Sequence, residues 1–112
     1  MNLQKMIDAL SLKVLTTPKD FSAITPTSGY TSDLLSCVMT GAASKGVWVT
    51  LQAHMNIVAV AALLDLSAVI ITEGAQPDPE TIAKANEEEI TLLWTQEPSY
   101  SVVGKLWEMG LK

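Results

Sequence analysis

Val47 to Thr72 constrains the fold more than any other stretch, because it sets two apolar runs of strand length around a helix. Val47-Trp48-Val49-Thr50 and Ala68-Val69-Ile70-Ile71-Thr72 show no alternation of apolar and polar residues. Strands take that pattern when helices cover both faces of a parallel sheet, so a βαβ unit is predicted at the centre of the chain. The intervening helix, expected over about Asn56 to Leu66, is apolar at every position from Ile57 to Leu64. Those residues point in all directions around the axis and leave no polar stripe for water.

Around this unit the chain alternates strand and helix. Asn2 can cap a first helix whose apolar positions Leu3, Met6, Ile7 and Leu10 follow helical spacing. A short strand is expected at Leu12 to Leu15 and an irregular loop from Thr16 to Ser28. Gly29-Tyr30-Thr31 reads as a strand, and Ser32-Asp33 as the cap of a helix turning Leu34, Leu35, Val38, Met39 and Ala42 inward. Asp78-Pro79-Glu80 combines a capping carboxylate, proline at the first helical position and an acid in the first turn, and starts a helix burying Ile82 and Ala85. Glu87 to Glu89 form its solvated end. Thr91 to Thr95 is a further strand, and a last helix begins at Pro98-Ser99 and stops at Gly110, with Val102, Val103, Leu106, Trp107 and Met109 on one side. The fold class predicted is α/β, a three-layer, mostly parallel sheet with right-handed crossovers and helices on both faces.

The 112 residues suit one domain, 1–112, with a core large enough to need neither disulfide nor metal. A net charge of −5 and the complete absence of arginine argue against nucleic acid and anionic membranes as partners. No basic leader or bilayer-length apolar run is present, and Cys37 is the single cysteine, so a cytoplasmic protein is expected. One cysteine and one histidine assemble no zinc or iron–sulfur site, no cofactor is implied, and Cys37 is expected to be a packed thiol. Gly41 to Gly46 is glycine-rich but not a phosphate loop, because its lysine precedes the second glycine and no Ser/Thr follows a Gly-Lys pair.

Three strands share an ending, Val49-Thr50, Ile71-Thr72 and Trp94-Thr95, with Gln52, Glu73 and Gln96 close behind. In a parallel sheet these threonines meet at the carboxyl edge, where open α/β folds hold ligands. Threonine is also a good strand residue, and strand ends turn polar where they enter water. The candidate ligand site is Thr50, Gln52, His54, Thr72, Glu73 and Thr95, with Ser32 and Asp33 closing it. His54, the only histidine, lies at the start of the central helix, where it can serve as an acid/base group, an anion contact or a helix cap.

The stretch Thr27-Ser28-Gly29-Tyr30-Thr31-Ser32-Asp33-Leu34-Leu35-Ser36, continued by Trp48 through Ala61, resembles the small stand-alone proteins of the DRTGG domain family. Of the naming motif, the matching segment Thr25-Pro26-Thr27-Ser28-Gly29 keeps Thr27 and Gly29 and lacks the acid and the arginine. The resemblance covers Leu3 to Gly110 and implies a fold similar to the N-terminal domain of HPr kinase/phosphorylase. It also implies regulatory company: related domains accompany phosphotransacetylases and CBS-domain pyrophosphatases, and stand-alone members are encoded near iron-only hydrogenase components.

Three functions therefore compete. The first is a non-catalytic regulatory or accessory module, a homodimer that binds a small ligand or a redox or hydrogenase partner protein. The second is a small enzyme using His54 with Asp33 or Glu73 as acid/base groups. The third is an assembly partner with no small-molecule site. The dimer is expected because the all-apolar central helix would otherwise expose leucine and valine to water.

Overall fold

The computed structural model describes every residue from Met1 to Lys112. A five-stranded sheet runs in the order β1-β5-β4-β3-β2. Its strands are Lys13–Val14 (β1), Gly29–Thr31 (β2), Val47–Thr50 (β3), Ala68–Ile71 (β4) and Leu92–Trp94 (β5). The four from β2 to β5 are parallel, and only β1 is antiparallel, to β5. Every residue of β3 and β4 is buried, as expected of strands with no alternation.

The helices are Leu3–Leu10 (α1), Leu35–Gly41 (α2), Asn56–Leu63 (α3), Pro79–Glu87 (α4) and Ser99–Glu108 (α5). They divide by face because alternate strand residues point to opposite sides. Val47, Val49, Ile70 and Leu93 pack against α1 and α5, with Phe21 of a single 3₁₀ turn (Phe21–Ala23) joining them. Trp48, Val69, Ile71 and Leu92 face α2, α3 and α4. This is a three-layer α/β structure with two cores, one on each side of the sheet.

Local capping holds where it was legible. The Asn2 side chain accepts from the Lys5 N–H at 2.9 Å, and Leu3, Met6, Ile7 and Leu10 are all buried. Asp78 accepts from the Thr81 N–H at 2.8 Å, ahead of Pro79 in the first turn of α4. Gly110 ends the C-terminal helix region with a φ of +101°.

Several expectations need correction. The second helix is not capped by Ser32-Asp33: α2 starts at Leu35 with Leu34 in the cap position, and the Asp33 carboxylate is drawn away to β3. Of its apolar residues only Val38 is fully buried, whereas Leu34 is 61% exposed and Met39 also faces solvent. Cys37 is exposed rather than packed. In α4 it is Thr81 that joins Ala85 in the core, while Ile82 is half-buried. Trp107 on α5 is 58% exposed. The central helix ends at Leu63, with Asp65 in a left-handed turn (φ +55°).

That helix also meets a different fate from the one its composition suggests. Flanked by α2 on one side and α4 on the other, α3 buries Ile57, Val58, Val60 and Ala61 within its own layer. Only Ala59, Ala62 and Leu63 remain as an exposed apolar stripe, and Leu63 is 69% exposed. Leucine and valine exposure is thus reduced to one side chain.

Candidate functional site

The sheet register sets Thr50 beside Ile71 and Ile71 beside Trp94, so Thr50, Thr72 and Thr95 gather at the carboxyl edge. All three are buried, and each hydroxyl takes part in a hydrogen bond within the protein.

On the β3 side, Asp33 is the centre. One oxygen of its carboxylate accepts from the Thr50 hydroxyl at 2.8 Å and from the Leu51 N–H at 2.8 Å. The Gln52 amide donates to the Asp33 carbonyl at 3.1 Å, and the Gln52 N–H donates to the Thr50 hydroxyl at 3.1 Å. Ser32 accepts from the Leu34 N–H at its hydroxyl and from the buried Trp48 indole N–H at its carbonyl. Together these bonds tie the β2–α2 loop to the β3–α3 loop. Ser32, Asp33, Thr50 and Gln52 therefore do come together, as a latch between two loops.

On the β4–β5 side, Glu73 sits in the left-handed region (φ +60°), followed by Gly74 at φ +70°. The carboxylate turns toward α5 and accepts from the Ser99 N–H at 2.9 Å, capping the positive end of that helix. The Thr72 and Ser99 hydroxyls share a hydrogen bond, and the Thr95 hydroxyl accepts from the Glu97 N–H at 3.1 Å. Because α4 packs on one face and α5 on the other, the chain leaves neighbouring strands β4 and β5 in opposite directions. That divergence is the kind of switch point at which open α/β sheets hold ligands.

His54 is exposed, and its Nδ1 accepts from the Asn56 N–H at 3.1 Å at the start of α3. It makes no hydrogen bond to Asp33 or Glu73. Asp78 is held below its ordinary carboxyl pKa of 3.8 chiefly by the Thr81 N–H, with the Thr81 side chain and the field of His54 contributing less.

Sequence reading missed Ser99, Trp48 and Asp78 as participants. The legible signal for Ser99 was its place at a helix start, whereas Trp48 gave none, because its bond to Ser32 joins residues 16 apart in sequence. No group of three or more His, Cys, Asp or Glu side chains is arranged to hold a metal.

No family model matches the chain, and no curated protein matches its sequence. In fold it is similar to the crystal structure of the CBS and DRTGG domains of the regulatory region of Clostridium perfringens pyrophosphatase, complexed with the activator diadenosine tetraphosphate. The TM-score is 0.74 at 19% sequence identity, over 91% of this chain and 44% of that one. This chain thus spans under half the length of that neighbour, and the two share an α/β fold.

Proposed function

We propose that this protein is a non-catalytic regulatory or accessory module, one cytoplasmic domain of DRTGG type, similar also to the HPr kinase/phosphorylase N-terminal domain. It works as a homodimer and binds a small ligand at the carboxyl edge, or a partner protein of hydrogen or redox metabolism. One observation carries the non-catalytic reading. His54 makes no hydrogen bond to Asp33 or Glu73, the pairing that the enzyme reading needs: its Nδ1 bonds the Asn56 N–H, while Asp33 bonds Thr50 and Leu51 and Glu73 bonds Ser99. An acid/base pair has to sit within hydrogen-bond reach, and here the three groups instead bond separately at helix starts and between loops. The hydrogenase link rests on family resemblance.

Support for a ligand comes from the fold shared with a regulatory region that binds a nucleotide activator, and from the divergence of the chain after β4 and β5. Thermal-shift screening with nucleotides, diadenosine tetraphosphate and acetyl phosphate tests it. A ligand at ten times its Kd adds about 1.4 kcal/mol of stability and raises Tm by several degrees. Amide shifts at Thr50, Gln52, His54, Thr72, Glu73 and Thr95 are expected on titration; the absence of any saturable shift at these residues would reject this edge. ATP should not be hydrolysed, and turnover lost on His54→Ala would restore the enzyme reading.

For the dimer, light scattering on the purified chain decides, and a monomeric mass at high micromolar concentration rejects it. Leu63→Asp is the informative variant, because Leu63 is exposed on α3 whereas Val60 lies in the core.

A further inference from the structure

A cavity lies away from the carboxyl edge, on the α5 face of the sheet beside the edge strand β2. β2 is an edge strand, and its register with β3 places Gly29 and Thr31 on the same face as Val47 and Val49. Gly29 has no side chain to fill the space beneath α5. The result is a cavity of about 150 Å³ whose walls are mostly apolar, formed by Val49, Val103, Leu106, Trp107 and Leu111. An apolar void of roughly 150 Å³ holds one benzene ring.

Three features select what fits. The Trp107 indole, more than half exposed, forms an aromatic wall. Lys112 stands at the rim with its ammonium 5.2 Å from the centre of that ring, a cation on a protein of net charge −5. Finally, Val47 donates its N–H to the Ser28 carbonyl at 2.8 Å, so by alternation the backbone N–H and C=O of Gly29 and Thr31 face outward, unpaired, along the edge. The first suits an aromatic ring, the second an acidic group and the third a ring nitrogen.

We propose that the cavity between β2 and α5 binds a flat heteroaromatic ring of one or two fused cycles that carries an anionic substituent. This site shares no residue with the carboxyl edge, and the two stand or fall separately.

The test uses the whole chain and two probes with the same ring, neutral indole and anionic indole-3-acetate, followed by amide chemical shifts. Saturable shifts are expected at Gly29, Thr31, Val49 and Val103, with the anion binding about two- to fivefold tighter, as one exposed ion pair gives. Trp107→Ala should weaken both probes by up to about tenfold, and because Trp107 is exposed the remaining spectrum should be unchanged. Gly29→Ala, whose new methyl would meet Leu111 at an ordinary 3.4 Å, should weaken both by partly filling the floor. Lys112→Gln should erase the difference between the probes and leave indole binding intact. Shifts confined to other surfaces, or none that saturate by about 5 mM, overturn the site. Equal affinity for the two probes, or a difference that survives Lys112→Gln, overturns the anionic ligand.

Discussion

The carboxyl edge and the β2–α5 corner invert one another. The edge is rich in polar side chains, yet its threonines are buried and its carboxylates and histidine are engaged by backbone N–H groups. The corner has few polar side chains, yet it keeps open space, an exposed indole and unpaired strand groups. Density of chemistry-bearing residues therefore measures how much a fold must satisfy at that place. Room for a ligand depends on what packing leaves unfilled.

The tryptophans give the widest separation between the two regions. Trp48 is fully buried and donates to the Ser32 carbonyl at 2.9 Å, so Trp48→Ala should cost about 3–5 kcal/mol in urea unfolding. Trp107→Ala should cost less than about 1 kcal/mol. Comparable losses would mean that the corner is packed core rather than open surface.

Asp33→Ala comes next. It removes the acceptor for the buried Thr50 hydroxyl and for the Leu51 N–H, and should destabilise by about 1–3 kcal/mol. Amide exchange should rise in both latched loops. A neutral result would show that the edge is not held by its own polar groups and leave Asp33 free for a ligand.

At Glu73 two effects oppose each other. Glu73→Ala loses the cap on Ser99 while keeping a left-handed backbone, and should cost about 1 kcal/mol. Glu73→Gly loses the same cap but relieves the φ of +60°, so it should be the milder change by roughly 0.5–1 kcal/mol. Reversal of that order in parallel melts would show that relief of the left-handed backbone is not what separates the two variants.

The smallest effect is with pH. The carboxyls of Asp78, bonded to Thr81, and Asp65, bonded to Lys45, both titrate below the ordinary 3.8. A depressed pKa favours the folded state only while the carboxylate is charged. Its contribution is therefore complete above about pH 4 and is lost as pH falls below 3.8 through the folded value. Melting curves across that window should fall less steeply for Asp78→Asn than for the parent chain.

Sequence alone determined the sheet and its helices. Unbroken apolar runs identified β3 and β4, helical spacing identified the inward face of α1, and Asn2 and Asp78-Pro79 marked helix starts, because these signals act within a few residues of chain. Even the gathering of Thr50, Thr72 and Thr95 at one edge followed from strand order and direction. Tertiary structure alone decided which apolar residues stay exposed. Leu34, Met39 and Leu63 carry the same inward-looking pattern as Val38 and Val60, and only the positions of α2 and α4 around α3 separate them. It also decided that Asp33 serves Thr50 rather than its own helix, across 17 residues of sequence. The corner cavity belongs to the same class: a glycine in β2 and a tryptophan near the C-terminus acquire meaning only when α5 is laid across the sheet. Burial and empty space are properties of pairs of elements distant in sequence, and no local pattern encodes them.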